Sequence, residues 1–398
     1  MSLPSTESAV RVAVVVSHPI QHFCPQYSSW AQLERVELRV FFASQHGLKA
    51  YKDKNFDRVV QWEGLDLNFP HEFLPGAEDR QLGREIDAPA LKNRLADFSP
   101  QILVVYGYSQ ALQRRAMAWA TDADIPLFMI ADSELRGRKS RIKRLAKSII
   151  LPKILAKVDR FLTVGDANEA YYRQFGVTDE RFIRCFFPID VNKFDAVLHS
   201  QQTARARIRA RHSIPDDHCV VLCVGKLVPW KRQSDLVDFS NSVSSTEKIT
   251  VILAGTGPEE ASLRRRAHRQ GTGGVVFAGF IPPAELIEYY CASDIYTHCS
   301  EHEPHSLAIS EAIYCGLPIV VSHRCGSYGP SDDVRVGLNG DVYQCADAAG
   351  LRAAITRLAR SDERRQSMGV ASAEIARLNQ RLAHGRALIQ AIESLPSA

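Results

Sequence analysis

The stretch Val221–Arg232 reads VLCVGKLVPWKR, and it changes character at its middle. Val221–Val224 is a continuous apolar run. Gly225 ends it, Lys226 follows at once, and Lys231 comes five residues later, past Pro229. Unbroken apolar runs, rather than alternating ones, mark strands covered on both faces of a parallel sheet. Glycine after such a strand lets the chain turn tightly and lets a ligand approach the backbone. The two lysines then fall at the strand's carboxyl end, where open α/β sheets bind ligands. Two ammonium groups there suit a diphosphate.

The same apolar runs recur on both sides of this stretch. Before it come Val12–Val16, Leu38–Phe42, Ile102–Tyr106, Leu127–Ile130 and Phe161–Val164. Within its own half come Val220–Val224, Thr250–Ala254, Val275–Ala278, Ile295–His298 and Ile319–Ser322. Helical patterns separate them, so the class is α/β, built of βαβ units. The rhythm breaks at Asp195–Asp217, DAVLHSQQTARARIRARHSIPDD, read as a short helix and a turn. The predicted organisation is a first domain over 1–196, a second over 197–373, and a C-terminal helix over 374–398 that packs back toward the first domain.

At 398 residues, 45% hydrophobic and 24% charged, the chain has the profile of an ordinary globular protein with two or three domains. A net charge of +4 is too small to argue for nucleic acid. Nine cysteines without a C-x-x-C are read as buried free thiols in a reducing compartment. The start, MSLPSTESAVRVAVVVSHP, lacks the basic and long apolar regions of a secretion signal, and no run of 18 apolar residues occurs. The expected location is cytoplasmic, at most peripheral on a membrane.

A second motif is SEHEPHSLAISEAIYCGLPIVVS, Ser300–Ser322. Here Ile295–His298 runs into a polar loop, and Ser306 is the expected N-cap of a helix from Leu307 to Cys315, stopped by Gly316. A helix start offers free N–H groups and a positive dipole end to a phosphate. Glu311 lies one turn inside, placed to accept hydrogen bonds from ribose hydroxyls. Glu303 lies before the helix, facing a sugar. Each feature alone reads equally well as surface decoration; together they match a nucleotide diphosphate sugar.

The pair resembles the retaining GT-B glycosyltransferases of family 4 (glycosyl transferases group 1). Glu303 and Glu311 stand as E-x7-E within EPHSLAISEA, and Gly225, Lys226 and Lys231 as the basic pair, with Lys where the family more often has Arg. AGTGPE (254–259), FAGFIPPAELIEYYCASDIYTH (277–298), VGLNGDVY (336–343), VDRFLTVGDANEAYYRQFGV (158–177) and FPIDVNKF (187–194) resemble further family stretches. The resemblance implies a GT-B fold, two Rossmann-like domains with parallel sheets facing across a cleft. It implies that Lys226 and Lys231 neutralise a leaving diphosphate and that Glu303 contacts the donor sugar. Gly225 and the backbone around His305, Ser306 and Leu307 would hold phosphate, Glu311 the ribose, and the backbone near Phe280 the base. It implies no metal and no cofactor beyond the nucleotide-sugar donor.

The chain departs from the family after its first strand, where SHPIQHFCPQY replaces a glycine-rich loop; His18, Gln21 and His22 are acceptor-side candidates there. Asp132 stands where many members carry a histidine, and is a further acceptor-side candidate. Crowded His298, Cys299, His302 and His305 fit no standard zinc spacing. Gly255-Thr-Gly257 lacks the third glycine of a dinucleotide fingerprint. Arg136–Lys157, RGRKSRIKRLAKSIILPKILAK, is basic, without an acid, and has an apolar side; it is read as a surface for anionic membrane or as a solvated helix face. The reaction read from all this is sugar transfer from a nucleotide donor to a glycan or lipid-linked acceptor, in surface polysaccharide biosynthesis. A non-catalytic scaffold on the same fold, or a phosphorylase or nucleotide-sugar epimerase, is the alternative.

Overall fold

The computed structural model describes residues 9–48, 51–53, 58–60, 65–136, 141–268 and 274–396. Their strands form a seven-stranded sheet, a six-stranded sheet and a short separate hairpin. The first sheet takes β1 (Val10–Val16), β2 (Val36–Phe42), β3 (His71–Phe73), β4 (Ile102–Tyr106), β5 (Leu127–Ala131), β6 (Arg160–Thr163) and β7 (Phe182–Arg184), in spatial order β3-β2-β1-β4-β5-β6-β7. The second takes β8 (Cys219–Val224), β9 (Ile249–Ala254), β10 (Gly274–Gly279), β11 (Ile295–His298), β12 (Ile319–Ser322) and β13 (Gly340–Tyr343), in order β10-β9-β8-β11-β12-β13. Every pairing in both sheets is parallel. In each, the order reverses beside the first strand, which opens a crevice at the strands' carboxyl ends.

Continuous apolar strands serve two cores at once. Val12, Val14 and Val16 point into one core of the first sheet, and Ala13 and Val15 into the other. Val220 and Leu222 serve one core of the second sheet, and Val221 and Cys223 the other. Period-two geometry explains this, because successive side chains leave opposite faces. Each fully buried Val or Leu contributes about 1.5–3 kcal/mol. All nine cysteines are free, and all but Cys345 are buried.

Every strand expected from an apolar run is present. In the two parallel sheets the three strands that carry no such run, β3, β7 and β13, were not expected, and each closes an edge of its sheet; the two hairpin strands were not expected either. The Ala/Arg-rich stretch is helix Gln201–Arg211. The C-terminal segment is two helices, Asp362–Arg381 and Ala387–Glu393, broken by non-helical backbone at His384 and Gly385. The second of these fills the first sheet's core through Ala387, Leu388, Ala391 and Ile392. Gln26 and the Trp30 ring N–H both donate to the Ala383 carbonyl, at 2.8 and 3.2 Å.

The two halves also meet through a clasp of carboxylates. Asp332, from the second half, accepts the backbone N–H of Asp166 at 2.7 Å, capping helix Asp166–Gln174 of the first half. Asp166 in turn accepts from the Ser331 N–H and hydroxyl and pairs with Arg184. Glycine on both sides leaves room for these carboxylates: a Cβ at Gly165 would stand 2.4 Å from Asp332 Oδ2, and one at Gly329 2.1 Å from Asp166 Oδ2. Arg136 donates to the Cys325 carbonyl, and Arg324 to the Arg136 carbonyl at 2.6 Å.

Of the basic stretch, residues 137–140 lie outside the described residues, as do the side chains of Arg141, Lys143 and Arg144. What is described is helix Arg141–Leu155, with Leu151 and Leu155 buried and Ile149 and Ile150 61% and 55% exposed. Among the described residues no helix is long and apolar enough to cross a membrane.

Candidate active site

The loops that follow β8 and β11 of the second sheet meet, bringing Lys231 against Glu303. β8 leads into Gly225 and Lys226, and a 3-10 turn Pro229–Lys231 carries Lys231. The loop is pinned: Gln233 donates to the Lys226 carbonyl at 3.0 Å, and Leu227 N–H to the Thr256 carbonyl at 2.9 Å. A Cβ at Gly255 would stand 2.0 Å from the Gly225 carbonyl oxygen, and one at Gly257 2.4 Å from that of Leu227. The Gly-Thr-Gly sequence therefore lets two loops pack together.

Lys231 and Glu303 are brought together as an ion pair, 20% and 14% exposed. His298 Nε2 donates to the same Glu303 oxygen at 2.8 Å, and Tyr296 hydroxyl meets His298 Nδ1 at 3.2 Å. Burial works to raise the Glu303 carboxyl, but the His298 ring and the Lys231 ammonium overcome it and hold it at about 2. Burial pushes His298 down, against the opposing pull of the Glu303 carboxylate. Glu303 is thus an ionised acceptor held by a cation and a ring N–H.

Glu311 sits elsewhere on the same floor. Its carboxylate accepts from Tyr290 hydroxyl at 2.6 Å, and burial raises it to about 7 despite that bond. Helix Leu307–Tyr314 starts at Ser306, as the sequence indicates, but the Ser306 side chain makes no cap hydrogen bond. The Ser306 N–H is also taken, by Ser327 hydroxyl at 2.8 Å. That corrects the expectation that this amide faces a phosphate; the N–H groups of Leu307 and Ala308 are the ones a helix start leaves without intrahelical partners. Phe280 follows the edge strand β10 and is 36% exposed.

The crowded histidines do not converge. His298 goes to Glu303, His302 lies 3.4 Å from Glu134, and His305 lies 3.4 Å from Asp333. His305 with Asp332 and Asp333 does bring three ligand-type atoms within 4.8 Å of one another. Their carboxylate oxygens are already used, however: those of Asp332 by the N–H groups of Asp333 and Asp166, those of Asp333 by Asn379 and Ser310. Burial opposes charge on His305, but the Asp333 carboxylate beside it raises the ring. The His305 ring thus lies against the Asp333 carboxylate, which favours its charged form while burial opposes it. Burial raises Asp332 to about 6.

Across from this floor, at the carboxyl ends of β1, β4 and β5, lies a cavity of about 840 Å³. His22 and Asp132 line it; His18 does not. His18 bonds Ser17 hydroxyl at 2.9 Å and stacks edge-on to His46. Burial first, then the neighbouring histidines, lowers His18 to about 4, and burial alone lowers His22 to about 4, so both are neutral. Gln21 is half-buried beside them. Asp132 faces the open cleft, and the crowding around it raises its carboxyl. Phe187 joins the two sides, its ring 5.5 Å from His22 and 4.9 Å from His305.

The sequence reading missed Tyr290, Tyr296, Asp332 and Asp333. Tyr296 had a signal: with His298 it occupies alternate positions of one strand, so both leave the same face. The aspartates had none, because their partners lie far away in the chain.

Residues 204–374 match the family described as Glycosyl transferases group 1. The D-inositol 3-phosphate glycosyltransferase of Acidothermus cellulolyticus is 32% identical over 164 residues, 38% of this chain and 36% of that protein. The GDP-mannose-dependent alpha-(1-6)-phosphatidylinositol monomannoside mannosyltransferase of Mycolicibacterium smegmatis is 31% identical over 177 residues, 42% of this chain and 45% of that protein. The matched segment thus spans less than half the length of these curated relatives. Among solved structures, Anabaena HepE in complex with UDP superposes with a TM-score of 0.69 at 17% identity, covering 97% of this chain and 100% of that one. At that identity the likeness speaks for the fold. The chain has the GT-B fold, and its residues 204–374 are similar to the glycosyl transferases group 1 family.

Proposed function

We propose that this protein transfers a sugar from a nucleoside diphosphate sugar to an acceptor, with retention of the anomeric configuration. The observation that carries the reading is the Lys231–Glu303–His298 cluster beside Lys226, opposite a large cavity on the facing sheet. In this reading Lys226 and Lys231 stabilise charge on the departing diphosphate, the principal catalytic term, and stand in for a metal cation. Glu303, ionised throughout the physiological range, accepts hydrogen bonds from the donor sugar, and Glu311 from the ribose. The acceptor hydroxyl attacks the anomeric carbon as the bond to the diphosphate breaks, and its proton leaves with a phosphate oxygen. Cleft closure excludes water that would hydrolyse the donor. The relatives' names give GDP-mannose as a donor, and HepE was solved with UDP, so the base is left to experiment. We assign the setting to surface polysaccharide biosynthesis at the cytoplasmic face of a membrane, the exposed Ile149 and Ile150 and the basic stretch around them touching anionic lipid.

The test is a thermal-shift panel of UDP, GDP, ADP and their sugar conjugates without metal. A ligand that binds only the native state raises its melting temperature. One nucleotide family should stabilise the wild type and not Lys226→Ala. No stabilisation by any nucleotide at millimolar concentration would leave a scaffold as the better reading.

A further inference from the structure

Resting on that transferase reading, we infer that the cavity at the carboxyl edge of the first sheet takes an anionic amphiphile as acceptor: a phosphate head carried on an apolar chain. At about 840 Å³ the cavity is in the range of small-molecule sites. Its wall is apolar, made by Ile20, Phe23, Tyr106, Ile130, Leu151 and Ile154. Two of these belong to helix Arg141–Leu155, whose Ile150 also lines the cavity while 55% exposed, so the apolar wall runs out to the protein surface. No asparagine or glutamine is among the described lining residues, so the amides that commonly hold sugar hydroxyls are missing from it.

The charged lining divides by position. Asp132 lies at the cleft-facing end, within the electrostatic reach of His305 and Glu303 of the donor side. Arg84 and Arg114 are exposed at the rim, and Lys147 is half-buried with its Nζ 3.4 Å from Tyr171 hydroxyl. Against these three cations the described rim residues set one acid, Glu85. A neutral glycan leaves the three cations without a counter-charge, and a free sugar phosphate leaves the apolar wall uncovered. A phosphate-bearing amphiphile uses both. Its phosphate meets the guanidinium groups, which hold phosphate with directed N–H bonds. Its chain runs along Leu151 and Ile154 and out past Ile150, and its hydroxyl is presented toward Asp132.

The experiment is calorimetric titration of the full chain with dihexanoyl phosphatidic acid below its micelle concentration, against dihexanoylglycerol and glycerol 3-phosphate as its two halves. The whole molecule should bind at least about 10-fold tighter than either half, equivalent to ~1.4 kcal/mol. Replacing Arg84→Gln and Arg114→Gln together should remove that advantage without weakening dihexanoylglycerol. Ile150→Glu, at an exposed position, should weaken both lipids. Equal binding by dihexanoylglycerol would make the cavity merely apolar. Equal binding by glycerol 3-phosphate would make it merely an anion site. Binding by none of the three would also overturn the inference. Nucleotide stabilisation of the same preparation separates the two claims. If it persists while phosphatidic acid fails, only the acceptor assignment falls; if it is absent, the transferase reading falls and takes the acceptor assignment with it.

Discussion

The carboxyl ends of the two sheets face the same cleft and are built in different ways. At the second sheet, strand ends, loops and helices fix polar side chains against one another: Lys231 on Glu303, His298 on Glu303, Tyr290 on Glu311. At the first sheet the corresponding ground is an open cavity with apolar walls, two neutral histidines near its edge and two exposed carboxylates, Asp132 and Glu85. A diphosphate is the same in every donor, so the groups that hold it can be fixed in advance. An acceptor site needs shape, and shape is carried by many weakly marked residues. The comparison therefore predicts that single substitutions on the donor side have sharp effects on turnover, while the acceptor side titrates little in the physiological range.

The largest effect is expected from Lys231→Ala. Loss of a preorganised charge facing the departing group costs about 10²–10³ in kcat, and steady-state turnover with circular dichroism as a folding control would measure it. Glu303 keeps its His298 partner in this variant, so the fold should hold. Near-normal turnover would remove Lys231 from the site.

Gly326→Ala is next. Gly326 N–H donates to the Glu303 carbonyl at 2.7 Å, and a Cβ there would stand 1.7 Å from the Pro304 carbonyl oxygen. Backbone on both sides cannot yield without moving Glu303. A misplacement of about 1 Å is worth roughly 10²-fold in rate. Turnover should fall by about that factor with nucleotide binding through Lys226 largely kept, as paired kinetics and thermal shift would register. Unchanged kinetics would mean that the loop adapts and that Glu303 is not held as tightly as its contacts imply.

These two sites also differ in how they were legible. Lys226, Lys231, Glu303 and Glu311 stand at fixed offsets from strand ends, so a linear reading reaches them. Continuous runs such as Val12–Val16 and Cys219–Val224 announce buried parallel strands because both faces are covered. His71–Phe73 and Phe182–Arg184 pair on one side only and need no such run, so nothing in their composition declared them. The Asp166–Asp332 clasp joins residues more than 160 apart, and only folding brings them within hydrogen-bond reach. Gly255-Thr-Gly257 shows the converse: a pattern that resembles a cofactor fingerprint serves the packing of Gly225 and Leu227.

The comparison sharpens with pH. Glu311 is raised to about 7, above its ordinary carboxylate value, so its contribution to stability is full in acid and fades as pH rises through about 7. Glu303 has the opposite sign: held at about 2, it stabilises at all pH above its ordinary value and loses that only as pH falls toward 2. A ribose-binding carboxylate accepts better when ionised. Nucleotide affinity should therefore rise a few-fold from pH 6 to 8, about half a decade or ~0.7 kcal/mol, and Glu311→Gln should flatten the profile. His18 and His22, at about 4, contribute no slope in this window. A slope that survives Glu311→Gln would place a titrating group on the other side of the cleft.

The smallest effect tests where the two halves hold each other. Arg35 and Glu393 form an ion pair 2.7 Å long between the first half and the last helix, but they are 51% and 54% exposed. Solvent screens such pairs to about 0.2–1 kcal/mol. Arg35→Ala should lower the melting temperature only slightly, and high salt should erase the difference. The attachment of that helix rests on packing instead: Leu388 and Ala391 are fully buried with Trp30 in the first core. Leu388→Ala at the same interface should cost about 2–5 kcal/mol. If Arg35→Ala proved as costly as Leu388→Ala, charge rather than apolar burial would be what returns the chain's end to its beginning.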